Sequence, residues 1–81
     1  MVFFVYILAC SDKTYYVGCT NNLERRLIEH NTSKNGAHYT KIRRPVKLQY
    51  KEEFKTLHQA RRREAAIKRL RREGKEQLWK K

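Results

Sequence analysis

Two residues able to handle phosphate and protons stand four positions apart in this sequence. Arg26 and His30 project from the same side of any helix that contains them, because residues i and i+4 are neighbours on a helical surface. A guanidinium presents paired donors to phosphate oxygens, and an imidazole exchanges a proton near neutral pH. A surface arginine beside a partly buried histidine is the plain alternative, and the spacing leaves both interpretations open.

Two tyrosines occupy β-rich segments on either side of a turn at residues 11–13. A hairpin with that turn places Tyr6 opposite Gly18 and Tyr16 two positions away on the same face. The glycine then leaves room above the Tyr6 ring for a ligand backbone. Two phenols converge there, although two strand tyrosines packed in a core would give the same pattern.

Glu64 is a lone carboxylate inside a basic segment. It follows three consecutive arginines at 61–63, yet it shares a helical face with Ala60 and Ile67. Hard divalent cations bind oxygen ligands and often use one or two carboxylates with waters and substrate phosphates, so one glutamate is sufficient. A salt bridge to a neighbouring arginine is an equally open alternative.

The first half of the chain predicts the elements that hold the tyrosines and the Arg26–His30 pair. Residues 2–10 are apolar on both alternating faces, which predicts a central strand, and residues 14–19 predict its hairpin partner. Asn21 and Glu24 have the spacing of a capping box, so we expect a helix from there to about residue 31.

A polar segment and a third strand follow. Residues 32–40 are predicted to form a surface loop. Pro45 opens a strand that Phe54 closes, and its alternating pattern predicts an edge strand with one apolar face. The residues expected on that apolar face are Val46, Leu48 and Tyr50.

The remaining residues predict the longest helix. Residues 56–72 lack glycine and proline and carry apolar residues at helical spacing. We expect Gly74 to end this helix, and a short last helix over 75–81 to turn Leu78 and Trp79 back over the core.

Positive charge is concentrated in the second half. The net charge is +12, and residues 41–81 carry sixteen basic residues against five acidic ones. Such a field attracts polyanions, so nucleic acid is the expected partner, with a merely solvated basic surface as the alternative. The residues expected to bind it are Lys41, Arg43, Arg44, Arg61, Arg62, Lys68, Arg72 and Lys75.

Length and composition predict one domain over residues 1–81 with one modest core. The apolar run at 2–10 is too short to span a bilayer, which takes about 20 residues, and no basic segment precedes it as in a signal peptide. Cys10 and Cys19 form no CxxC pair, which favours free thiols in a reducing compartment. We expect a cytoplasmic monomer without a membrane segment.

As an ordered set, these residues resemble the GIY-YIG nuclease family, which supplies catalytic domains to homing endonucleases, some restriction enzymes and the excision-repair nuclease of bacteria. Val5-Tyr6-Ile7 resembles the first signature motif and Tyr16-Val17-Gly18 the second, followed by Arg26, His30 and Glu64. Small stand-alone bacterial members are similar at residues 36–40 and 44–46, and at Glu64, Lys68 and Lys75.

The resemblance implies an α+β fold in which helices flank a three-stranded antiparallel sheet. It also implies a metal-dependent endonuclease that hydrolyses phosphodiester bonds in DNA rather than RNA, branched, nicked or damaged, in repair or recombination. Catalytic roles would fall on Tyr6, Tyr16, Arg26, His30 and Glu64. Among these, Glu64 would hold a single Mg²⁺ or Mn²⁺ ion, Arg26 would stabilise phosphoryl oxygens, and one tyrosine would help to activate water.

Two departures from the family pattern bear on catalysis. Val5 stands in place of the first signature glycine, and no asparagine follows Asn35, although many family nucleases carry one beyond the glutamate. The alternative function is therefore a non-catalytic DNA- or RNA-binding module that uses the basic half, in which Glu64 is dispensable. Whether a partner protein targets the chain to its substrate stays open.

Overall fold

The sheet has three antiparallel strands. The computed structural model describes residues 1–32 and 38–80, and its strand order is β2-β1-β3. The strands are β1 (Phe3–Ala9), β2 (Tyr15–Thr20) and β3 (Lys47–Phe54). The predicted α+β class with a three-stranded antiparallel sheet is confirmed, and so is the central position of the first strand.

Helices cover both faces of this sheet. They are α1 (Leu23–Thr32), α2 (His38–Lys41), α3 (Leu57–Lys68) and α4 (Arg72–Glu76). Helix α3 is the longest, as predicted, but it ends at Lys68 rather than at residue 72. Within residues 1–32 and 38–80, no helix has the length and apolar character needed to cross a membrane.

The β1–β2 hairpin has the predicted register. Tyr6 pairs with Gly18, and Leu8 pairs with Tyr16. Lys13 closes the turn with a φ of 69°, in the left-handed region that tight hairpin turns use. Because paired residues of an antiparallel ladder share a face, Tyr6 and Tyr16 lie on the same side of the sheet.

The outer strand β3 departs from the predicted alternation. Its register shifts between Ile7, which pairs with Tyr50, and Leu8, which pairs with Leu48, so that Gln49 is skipped. Ile7 and Leu8 face opposite sides of the sheet, and their partners do the same. The prediction that Leu48 and Tyr50 share one apolar face was therefore wrong, and Leu48 is 37% exposed.

Buried side chains form a core cluster on each face of the sheet. On the α3 face the cluster consists of Val5, Ile7, Val17, Ala60 and Ile67. On the opposite face, which we call the α1 face, it consists of Tyr6, Leu8, Cys10 and Val46. Cys19 packs against the α3-face cluster, so the two free thiols lie on opposite sides of the sheet.

The predicted packing of the chain end over the core is confirmed. Leu78 and Trp79 pack against the α3-face cluster. The Trp79 ring centre lies 5.2 Å from that of Tyr15 and 6.2 Å from that of Tyr50. The Tyr15 hydroxyl donates to a Glu76 carboxylate oxygen at 2.6 Å, which fixes α4 to the hairpin.

Three local predictions fail at helix boundaries. Asn22, not Asn21, caps α1, because its side-chain oxygen accepts from the Arg25 backbone N–H at 3.1 Å. Gly74 lies inside α4, which starts at residue 72, so it does not end the long helix. Residues 38–41 of the predicted loop and its border are helical, while residues 33–37 lie outside the described residues.

A methyl group at position 18 would collide with the Tyr6 phenol. A Cβ built on Gly18 would meet the Tyr6 hydroxyl oxygen and lie 2.5 Å from its Cζ atom. We expect Gly18→Ala to lower the free energy of unfolding by about 1–3 kcal/mol, as overpacking of a dense core does. Urea unfolding followed by circular dichroism measures this loss.

Gly74→Ala is the matched control for that substitution. Its Cβ would lie 3.3 Å from the Leu70 Cβ, a contact that a small shift relieves, and alanine favours the helix in which it sits. Equal destabilisation by both alanines would contradict a specific collision with Tyr6.

Candidate active site

Helix α1 carries its predicted pair against the sheet. Leu23 and Leu27 pack on the α1-face cluster, which turns the adjacent faces of the helix toward Tyr6. His30 is consequently 0% exposed, whereas the Arg26 side chain keeps 26% of its surface exposed. The helix thus holds one buried and one solvent-accessible polar group beside the same strand.

A buried hydrogen-bond chain connects the sheet to helices α1 and α2. The Tyr6 hydroxyl oxygen lies 2.8 Å from His30 Nε2, and His30 Nδ1 lies 2.8 Å from Thr40 Oγ1. None of the three residues is more than 1% exposed. Thr40 did not emerge from the sequence, because a single threonine in a polar segment has no periodicity that marks it.

Tyr16 belongs to the same aromatic group as Tyr6 and His30 but is more accessible than either. Its ring centre lies 5.1 Å from that of His30, 5.8 Å from that of Tyr39 and 6.5 Å from that of Tyr6. It is half-buried, whereas Tyr6 is 1% exposed. The space that Gly18 was expected to leave beside the Tyr6 ring for a ligand backbone is filled by the Tyr6 phenol itself.

Burial governs the protonation of the inner pair. It raises the pKa of Tyr6 to about 12, against the opposing effect of its hydrogen bond with Arg26. It also lowers the pKa of His30 to about 4, helped by the positive charge of Arg26. At neutral pH, Tyr6 is therefore a protonated phenol and His30 a neutral imidazole.

Arg26 lies at the solvent-exposed end of the hydrogen-bond chain formed by Tyr6, His30 and Thr40. Its Nη1 lies 3.2 Å from a carboxylate oxygen of Glu29, one turn further along α1. The guanidinium also hydrogen-bonds the Tyr6 side chain, an interaction that opposes the rise in the pKa of that phenol. Glu29 and Tyr6 thus help to hold a cation whose side chain is still partly exposed to an incoming anion.

Glu64 is 7% exposed on the α3 side of the sheet. One carboxylate oxygen lies 2.9 Å from Lys68 Nζ, and the other lies 3.5 Å from Arg61 Nη1. Burial raises the pKa of the Cys19 thiol, and the Glu64 charge raises it further. The same charge makes a smaller contribution to the raised pKa of Tyr6.

The carboxylate of Glu64 fits a cation that is shared with substrate. Within residues 1–32 and 38–80, no three His, Cys, Asp or Glu side chains cluster as a metal cage. Mg²⁺ and Mn²⁺ do not need one, because waters and substrate phosphates complete their octahedral shell. Two cationic side chains lie beside the two carboxylate oxygens of Glu64, and Arg61 makes the salt bridge that the sequence left open as the alternative.

The predicted basic residues fall into an exposed group and an internally bonded group. Lys41 and Arg62 are exposed, and the side chains of Arg61 and Lys68 are 64% and 55% exposed beside Glu64. These side chains keep most of their surface for a polyanion.

Arg43 and Arg44 make contacts that fix the polypeptide chain. Arg43 Nε lies 2.8 Å from an Asp12 carboxylate oxygen, and its guanidinium covers the Tyr39 ring at 3.9 Å. The Arg44 Nε–H donates to the His30 carbonyl at 2.6 Å. Both arginines therefore hold α2 and the segment after it against the hairpin and α1.

Arg72 and Lys75 hold the end of the chain. The Arg72 guanidinium lies 4.5 Å from the Tyr15 ring centre and 3.5 Å from a Glu76 oxygen. Lys75 Nζ donates to the Leu70 carbonyl at 2.6 Å. The basic residues thus divide between binding surface and internal support, a division that sequence spacing does not reveal.

Comparison with known proteins places this geometry in a family. The model of the GIY-YIG catalytic domain matches residues 2–77. A UPF0213 protein of Syntrophus aciditrophicus is 56% identical over 95% of this chain and 88% of its own length. Another, from the archaeon Halobacterium salinarum, is 48% identical over 93% of this chain and 96% of its own length.

A solved structure has the same fold. The solution NMR structure of the protein EF2693 from E. faecalis is 44% identical, with a TM-score of 0.68, over 96% of this chain and 82% of that one. At this identity the similarity covers sequence as well as fold.

The neutral state of His30 predicts a loss of stability in acid. The pKa of His30 falls from 6.5 in the unfolded chain to about 4 in the fold, so the unfolded chain binds the extra proton between these values. Stability should therefore decline as the pH falls through this window, by at most about 3 kcal/mol. Urea unfolding at pH 7, 5.5 and 4.5 measures the decline.

His30→Gln should flatten this pH dependence, because glutamine does not titrate. His58→Gln removes an exposed histidine from α3 and should leave the dependence as in the wild type. A wild-type slope in His30→Gln would show that carboxylates alone cause the acid sensitivity.

Proposed function

Because this chain belongs to the GIY-YIG family, we propose that it is a metal-dependent endonuclease that hydrolyses phosphodiester bonds in DNA. The family match over residues 2–77 supports an endonuclease-like reaction on nucleic acid. The observation that carries the proposal in this chain is the Glu64 carboxylate, which is almost buried and faced by two cations.

The position of Glu64 suits a cation ligand better than a structural ion pair. Taking a carboxylate out of water is unfavourable unless its partners compensate, and here both partners are largely exposed side chains. Such partners contribute little stability and move aside easily. Glu64 would hold one Mg²⁺ or Mn²⁺ ion, and Lys68 and Arg61 would then turn to the phosphates.

Glu64 would hold this ion beside the scissile phosphate, where it would supply positive charge for the phosphate and the leaving oxygen. Arg26 is the protein's own group for the phosphoryl oxygens, because its guanidinium is fixed by Glu29 and Tyr6 and still reaches solvent. It would bind the non-bridging oxygens and orient the phosphate for attack by water.

We assign the water-contacting phenol to Tyr16 rather than to Tyr6. The buried Tyr6 has a pKa raised to about 12, which makes it a poor proton acceptor near neutral pH. Tyr16 is half-buried at the edge of the same aromatic group and can contact a water beside the phosphate. Tyr6 and His30 would then act as buried supports that hold Arg26 in position.

The exposed bases would supply affinity without much sequence preference. Phosphate contacts position a protein on nucleic acid but carry no base information. Lys41, Arg61, Arg62 and Lys68 are the exposed candidates. We propose branched, nicked or damaged DNA as substrate, repair or recombination as the setting, and the reducing cytoplasm, where both thiols stay free, as the compartment.

Glu64→Gln tests the catalytic proposal directly. The amide keeps the volume but loses the charge that holds a divalent ion, so cleavage should fall about a hundredfold or more. DNA affinity should change less than about twofold, because the exposed bases stay in place. The assay uses labelled single-stranded, duplex, nicked, flap and branched DNA, and RNA, with Mg²⁺ or Mn²⁺.

Glu53→Gln is the matched control, since it neutralises an exposed carboxylate on β3. It should cut as the wild type does. If the wild type cuts none of these substrates, yet wild type and Glu64→Gln bind them alike, the chain is a non-catalytic binding module and the nuclease proposal fails.

The salt dependence of DNA affinity tests which basic residues contact phosphates. Arg62 is exposed on α3, so Arg62→Ala should weaken binding to all DNA sequences about equally. The slope of log affinity against log salt should fall by about one, as for each lost phosphate contact. Lys47→Ala, an exposed change on β3, should leave the slope unchanged. Fluorescence anisotropy at several salt concentrations decides between these results.

A further inference from the structure

Thr40 is a buried hydroxyl at the inner end of the Tyr6–His30 chain. It lies in α2, is 0% exposed, and its Oγ1 lies 2.8 Å from His30 Nδ1. Helix α2 is too short to be stable by itself, so tertiary contacts must fix this position. The Arg43 backbone N–H donates to the Thr40 carbonyl at 3.0 Å, and the Arg43 side chain covers the ring of Tyr39.

The neighbours of the Tyr6 hydroxyl determine the direction of the hydrogen bonds. Tyr6 contacts His30 Nε2 and the Arg26 guanidinium. An arginine side chain only donates, so Nε2 is the acceptor available to the phenol hydrogen. Nε2 then carries no hydrogen, and the neutral imidazole is protonated at Nδ1. That Nδ1–H donates to Thr40 Oγ1.

The opposite tautomer would break this order. With the hydrogen on Nε2, the imidazole would donate to Tyr6, and the phenol hydrogen would point toward the guanidinium, which accepts nothing. An unsatisfied hydroxyl hydrogen in a buried position is unfavourable, because it loses its hydrogen bonds to water without a replacement. Thr40 Oγ1 completes the first arrangement, because its oxygen can accept the hydrogen of Nδ1.

We propose that Thr40 is a positioning residue that accepts from the Nδ1–H of His30, fixes the imidazole ring and, through Tyr6, fixes the guanidinium of Arg26. With its hydrogen committed to His30, the Tyr6 oxygen presents its lone pairs to Arg26. The chain Thr40, His30, Tyr6, Arg26 then runs from the interior to the accessible cation. Its catalytic consequence rests on the proposed nuclease function, whereas its tautomer does not.

Thr40→Val removes the acceptor at constant shape, and Thr40→Ser restores it. In ¹⁵N NMR spectra of the imidazoles, wild type and Thr40→Ser should show His30 protonated at Nδ1. Thr40→Val leaves Nδ1–H without an acceptor, so its His30 Nδ1 resonance should shift away from the position seen in the wild type. Cleavage by Thr40→Val should fall about tenfold to a hundredfold through kcat, because Arg26 is misplaced, while DNA affinity is retained.

The wild-type spectrum alone can overturn the proposal. A His30 protonated at Nε2 in the folded wild type would do so even if Thr40→Val failed to fold. A folded Thr40→Val with an unshifted His30 Nδ1 resonance and full activity would do so as well. If the wild type shows the expected tautomer but cuts no substrate, the nuclease function fails while the assignment of Thr40 to His30 stands.

Discussion

The hydrogen bond between Tyr6 and His30 is the interaction on which the site depends. It connects the central strand to the end of α1 at 2.8 Å, entirely out of solvent. Gly18 makes it geometrically feasible, because any side chain on the paired strand position would occupy the space of the phenol. One glycine in β2 therefore decides where α1 sits, and with it where Arg26 meets solvent.

The same bond explains why α2 and the following segment are held so firmly. His30 is the last buried residue of α1, and its ring and its carbonyl are both used: the ring reaches Thr40, and the carbonyl accepts from Arg44. Asn31 adds a paired contact, since its side chain both donates to and accepts from the backbone of Val46. Arg43 and Arg44, which were predicted to bind nucleic acid, therefore stabilise the position of the segments around the site.

Sequence patterns predicted the parts of this structure that depend on local periodicity. The hairpin register followed from turn length and strand alternation, and it put Tyr6 opposite Gly18 correctly. The irregular register at Gln49 could not be predicted from the sequence of β3, because pairing with β1 determines it. Thr40 escaped for a related reason: its role depends on a partner ten positions away that only tertiary packing brings close.

The candidate site separates fully buried polar groups, which are neutral, from accessible basic groups, which are charged. Tyr6, His30 and Thr40 are neutral and hydrogen-bonded, which is the form in which polar groups are buried at least cost. Arg26 and the cations around Glu64 keep their charge and their access to solvent. A neutral interior can hold a charged rim in place without neutralising it, because uncharged hydrogen-bonding groups leave the charge of the guanidinium intact. The protein thus keeps positive charge for an anionic substrate while a single carboxylate stays in place among the bases.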